Sequence, residues 1–141
     1  MILGDGDLRN TIEKLLSEMN LKSMVKLCGY VKNPYPYFKS CRVFCLTSIA
    51  EGFPTTIVEA MCFGKPFVST NVAGADELSK NNKCGFIANS CEEFADYVSE
   101  LILNHLLYTE ISKYCLEEVK KYSLSFQINR IEKIFLVHRN S

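Results

Sequence analysis

The chain has 141 residues, 48% of them hydrophobic, a size that suits one domain with a real core. Sixteen basic residues balance sixteen acidic ones with no long run of like charge, which argues against a nucleic-acid binder. The apolar stretch at Met1–Leu3 is too short for a secretory signal and no later segment has the length of a membrane span, so a soluble, cytoplasmic protein is expected.

In chain order, Met1-Ile2-Leu3 reads as the stub of a strand, followed by the turn Gly4-Asp5-Gly6. Leu8, Ile12, Leu15, Leu16 and Met19 then recur at helical spacing and predict a helix from about Asp7 to Asn20. Asp7 is the expected cap. Val25 to Cys28 reads as a strand closed by Gly29, and Pro34 to Ser40 as a short helix with Pro36 in its opening turn. Val43-Phe44-Cys45-Leu46 is a continuous apolar run, the pattern of a parallel strand buried on both faces. Pro54 to Phe63 predicts a helix stopped by Gly64, then Pro66 to Ser69 a strand, Ala75 to Lys80 a helix and Gly85 to Ile87 a last strand. From Glu92 onward the pattern is helical, with breaks near Asn104 and Tyr122-Ser123.

Alternation of strands with helices implies right-handed crossovers and an α/β fold, a Rossmann-like parallel sheet with helices on both faces and a helical C-terminus. Ligands bind such sheets at the carboxyl ends of the strands. The seven cysteines, Cys28, Cys41, Cys45, Cys62, Cys84, Cys91 and Cys115, form an odd set without a C-x-x-C pair. They are expected to be reduced, buried small side chains.

The segment Ser48 to Met61 carries the chemistry, because it follows a predicted buried strand and opens a helix. Gly52 allows close approach to the backbone and Pro54 suits the first helical position. The free amides of that helix, with the positive end of its dipole, suit a diphosphate. Glu51 and Glu59 should lie roughly 10 Å or more apart along the axis, too far to share a proton. They could each bind hydroxyls at one end of a nucleotide sugar, or be an acid favouring the helix dipole and a solvated surface residue.

Ser48, Glu51-Gly52-Phe53-Pro54, Glu59-Ala60-Met61, Gly64-Lys65-Pro66, Val68, Gly74, Glu77 and Gly85 together resemble the C-terminal domain of the retaining GT-B glycosyltransferases of the group 1 family. The resemblance runs from Leu3-Gly4-Asp5-Gly6 to the helix after Tyr122-Ser123-Leu124. It implies that Glu51, the catalytic candidate, contacts hydroxyls of the donor hexose and that Glu59 holds the ribose. Backbone at Gly52, Phe53, Pro54, Thr55 and Thr56 would hold sugar and phosphates, with Gly4 and Gly6 in the donor-binding set. Tyr30 and Val31 match the base-contacting turn, for which ordinary loop packing is the alternative. Gly74 reads as a backbone requirement and Glu77 as a helix N-terminal acid.

The same resemblance implies a nucleoside-diphosphate sugar as donor, no metal or other cofactor, and retention of configuration in polysaccharide or glycan assembly. It also implies that the family's first strand and helix, with an Arg and a Lys on the diphosphate, and a separate N-terminal acceptor-binding half lie outside these residues. The isolated chain is then expected not to turn over alone, and the full enzyme could meet a membrane peripherally through the absent half. Arg42 departs from the acidic residue common in the family. The rival readings are an inactive, partner-binding domain and a related epimerase, which fits the Glu51-to-Glu59 pattern less well. Asp5-Gly6-Asp7 spells a three-residue metal pattern, and Gly4-x-Gly6 a dinucleotide fingerprint without its third glycine; a tight turn before a helix explains both. His105 and His138 are expected on the surface, and Tyr35, Tyr37 and Phe38 in packing.

Overall fold

The computed structural model describes residues 1–139, without the side chains of Ile131 and of residues 133–139, so the expectation for His138 lies outside what is described. The chain divides into two compact units, Met1–Tyr37 and Phe38–Ser141.

In the first unit the expected strands are reduced to two isolated bridges, a parallel one between Ile2 and Leu27 and an antiparallel one between Gly4 and Gly29. Helix α1 spans Arg9–Glu18 and buries Leu16. Its N-cap position is Leu8, with no side-chain cap. Asp7 therefore does not cap it; the local acid at work is Asp5, which accepts from the Gly6 amide at 3.0 Å and pairs with Arg9 at 3.4 Å. Arg9 also reaches Glu13 at 3.0 Å, so the guanidinium ties the turn to the first turns of the helix. Helix α2, Tyr35–Ser40, falls where the two units divide.

The second unit is built on a three-stranded parallel sheet in the order β1 (Phe44–Leu46), β2 (Phe67–Thr70), β3 (Gly85–Ala88). Phe67, Val68 and Ser69 of β2 are fully buried, which for alternating side chains requires cover on both faces of the sheet. That cover comes in part from α3 (Thr55–Cys62), packed on β1 and β2, and α5 (Cys91–Leu103), packed on β2 and β3. Helix α4 (Ala75–Ser79) lies against β3, and α6 (His105–Glu118) against α3 and α5. A 3₁₀ turn, Val119–Tyr122, leads into α7 (Leu124–Arg139). Ile57, Met61, Leu78, Leu101 and Ile111 close the core around Phe67 and Val68.

Strand β1 departs from expectation: it is an edge strand whose Phe44 and Leu46 are half-buried and whose Cys45 is exposed. The cysteines divide as well. Cys84 and Cys115 are buried, whereas Cys45, Cys62 and Cys91 are exposed, and all seven are free. The Cys115 thiol donates to the Cys84 carbonyl at 3.2 Å. Its hydrogen bonding with Cys84, together with burial, pushes the Cys115 thiol up, keeping it protonated. Arg42, the residue that departs from the family pattern, lies 4.1 Å from the centre of the Tyr108 ring.

The expected breaks hold for local reasons. Gly64 at φ +63° ends α3, its amide bonding to the Met61 carbonyl at 2.9 Å. Asn104 accepts from the Leu107 amide at 3.1 Å and so starts α6. Ser90 accepts from the Glu93 amide at 3.1 Å at the head of α5. Ser90→Ala is expected to destabilise the protein by about 1 kcal/mol in a denaturant titration, whereas Ser90→Asp should keep most of the wild-type value.

Candidate functional site

The segment from Ser48 to Glu59 runs from just beyond the carboxyl end of β1 into α3, the position foreseen for ligand contact in a parallel sheet. Pro54 stands one residue earlier than expected, at the N-cap of α3, and its ring is fully buried. It anchors the loop, and lacking an N–H it offers a ligand no donor there. The Thr55 amide bonds to the Phe53 carbonyl at 2.9 Å, and the Ile57 amide to the Pro54 carbonyl at 3.0 Å. The amides of Gly52, Phe53 and Thr56 have no acceptor among the described residues. Those three lie on exposed residues at the positive end of the helix, open to a ligand.

Glu51 is half-buried, and its Oε1 accepts from the Ser48 hydroxyl at 2.7 Å. The Ser48 carbonyl in turn accepts from the Thr70 hydroxyl at the end of β2, at 2.6 Å. Thr70 is the contact that the sequence pattern did not disclose, since 22 residues separate it from Ser48. Glu59, also half-buried, lies in the second turn of α3 and has no hydrogen-bond or ion-pair partner among the described residues. Partial desolvation of the otherwise exposed Cys62 thiol and the neighbouring Glu59 charge together push it up.

Gly74 adopts φ +79°, a conformation open to glycine. A Cβ there would lie 2.8 Å from the Phe53 ring and 3.2 Å from Pro54 Cδ, so its bare Cα is what lets α4 begin against the loop. Phe53 also meets Tyr122 with ring centres 6.3 Å apart. Gly74→Ala is expected to cost about 2 kcal/mol and to disturb the resonances of Phe53 and Pro54 ahead of those in α5. Glu77, in the first turn of α4, takes the N-terminal place expected of it.

A crevice of about 520 Å³ opens at the carboxyl ends of all three strands, lined by Thr47, Thr70, Asn71, Ala88, Asn89 and Phe94 among others. Neither Glu51, Gly52 nor Glu59 lines it; Thr70 is common to its wall and to the Ser48 bond.

The other residues singled out in the sequence belong to the first unit. The Gly4 amide donates to the Gly29 carbonyl at 2.8 Å, which sets the Gly4-to-Gly6 turn beside the start of Tyr30-Val31. Gly4 has φ +115°, Tyr30 is 82% exposed and Val31 half-buried, so the tyrosine ring is free to face a ligand. Both carboxylate oxygens of Asp5 are engaged, one by Gly6 and one by Arg9. His105 is an exposed residue at the start of α6.

Residues 1–118 match the model of the glycosyl transferases group 1, and the chain is a member of that family. It is 30% identical over 138 residues, 96% of its length and 37% of the relative's, to an alpha-1,4-N-acetyl-D-galactosaminyltransferase of Campylobacter jejuni acting on an undecaprenol-linked glycan. Among solved structures it is similar to a Staphylococcus aureus TarM variant in complex with Fondaparinux, alpha-GlcNAc-glycerol and UDP, at 26% identity and a TM-score of 0.83, covering 95% of this chain and 28% of that one. The fold is also shared with Anabaena HepE in complex with UDP-glucose, at 24% identity and a TM-score of 0.81, covering 96% and 40% of the two chains. The α/β architecture with its helical C-terminus thus matches the GT-B glycosyltransferases. The chain spans between 18% and 39% of the length of the curated relatives it matches. No helix among the described residues is long and apolar enough to cross a membrane.

Proposed function

We propose that this chain is the donor-binding part of a glycosyltransferase that moves a hexose from a nucleoside diphosphate to an acceptor hydroxyl with retained configuration, in polysaccharide or glycan assembly. The observation that carries the reading is the set of uncommitted amides of Gly52, Phe53 and Thr56 at the head of α3, flanked by two carboxylates. Amides at a helix N-terminus suit phosphate oxygens or an electronegative sugar. Carboxylates accept hydrogen bonds from hydroxyls, and the resemblance to the family assigns Glu51 to the hexose and Glu59 to the ribose. Tyr30 and Val31, with the Gly4-to-Gly6 turn, are assigned to the base and its surroundings.

The helix terminus carries about half a positive charge, well short of what a departing diphosphate requires. Within the chain, Arg9 is held by Asp5 and Glu13, Lys80 and Lys121 by Glu118, and Arg42 lies over Tyr108. The resemblance to the family assigns the remaining positive charge to an Arg and a Lys that accompany an acceptor-binding half, and the reading assigns no metal. The leaving diphosphate is the group that accepts the acceptor's proton. Calorimetry with UDP, GDP, ADP and their glucose conjugates tests the donor site. Saturable binding of one family of nucleotides is expected; no binding by any of them at millimolar concentration would remove the reading and favour a domain that only binds a partner protein.

A further inference from the structure

We infer that Ser48 and Thr70 are positioning residues that fix the Glu51 carboxylate for the sugar ring, an inference that rests on the donor-site reading. The chain of contacts is continuous: the Thr70 hydroxyl donates to the Ser48 carbonyl at 2.6 Å, and the Ser48 hydroxyl donates to Glu51 Oε1 at 2.7 Å. Its far end is anchored, because Thr70 closes β2 in register with Ala88 of β3 and follows three fully buried residues. Its near end would otherwise be loose. Ser48 to Phe53 form no helix or strand, and Ile49, Ala50, Gly52 and Phe53 are exposed.

The bond to Glu51 is charge-assisted, and it uses one carboxylate oxygen. Oε2 is left to accept from a sugar hydroxyl. A carboxylate already held in place gives up less side-chain freedom when the donor arrives, so the relay favours the sugar and not the nucleotide. A purely structural role would instead affect nucleoside diphosphate and nucleotide sugar alike. That difference separates the two.

The experiment is calorimetry with UDP and UDP-glucose, or with whichever nucleotide and its glucose conjugate the chain binds best, on wild type, Ser48→Ala, Thr70→Val, Thr70→Ser and Glu51→Gln, with folding checked by thermal unfolding. The readout is the ratio of sugar-nucleotide to nucleotide affinity. Ser48→Ala is expected to lower it about tenfold and Thr70→Val about fivefold, while Thr70→Ser stays within about twofold of wild type. An unchanged ratio in Ser48→Ala and Thr70→Val, with the ratio lost in Glu51→Gln, overturns the relay and leaves the donor site standing. Equal weakening of both ligands in Thr70→Val also overturns it. A wild-type ratio of one removes the assignment of Glu51 to the hexose and the relay with it.

Discussion

Gly85→Ala is expected to destabilise the second unit by about 3 kcal/mol, seen as a fall of about 10 °C in the melting temperature. Gly85 opens β3 in register with Phe67 of β2. A Cβ there would collide with the Phe67 carbonyl oxygen and lie 2.6 Å from Phe67 Cδ1. Neither neighbour can give way easily. The carbonyl is backbone, and the Phe67 ring is fully buried in the core. Relief requires β2 and β3 to separate, which would disturb the wall that carries Thr70 and Ala88. A melting temperature within 2 °C of wild type, read by calorimetric scan, would show that the strands can spread at little cost.

Glu59→Ala is expected to weaken nucleoside-diphosphate binding by about tenfold to a hundredfold while leaving the melting temperature nearly unchanged. Both halves of the expectation follow from its surroundings. The carboxylate is half-buried in the second turn of α3 without a hydrogen-bond or ion-pair partner among the described residues, so the fold has little to lose. Alanine is also the better helix former. A ribose, by contrast, would lose a hydrogen bond to a charged group. Unchanged affinity in the variant would take Glu59 out of the site.

The parts of the fold legible in the sequence are those set by local chemistry. Pro66, Gly64, Gly74 and Asn104 punctuate the chain where backbone or capping demands them, and β2, α3, α5 and α6 lie close to their predicted spans. Long-range pairing was less visible. A continuous apolar run such as Val43 to Leu46 reads the same at the middle or the edge of a sheet, and only the pairing order shows β1 at an edge with Cys45 exposed. The run Val25 to Cys28 likewise has strand-like residues but gains only isolated bridges. At the head of α1, Asp7 has the right residue type for a cap, yet the turn closes through Asp5 and Arg9 instead.

For the site, Glu51 to Thr56 and Glu59 stood out because they follow a strand and open a helix. Which amides of that segment are spoken for could not be read from residue types, since it depends on the turn at Phe53 and Pro54. Thr70 was hidden for a different reason. Its bond to Ser48 joins the ends of two strands across 22 residues, and one threonine closing a strand carries no local signal.

The most direct measurement is an amide chemical-shift titration of the chain with the nucleotide sugar it binds best. Within the second unit the largest changes are expected at Gly52, Phe53 and Thr56, the donors left open at the head of α3. Changes centred on Asn71, Asn89 and Ser90 in the neighbouring crevice, with Gly52 to Thr56 unmoved, would contradict a donor held by that helix terminus.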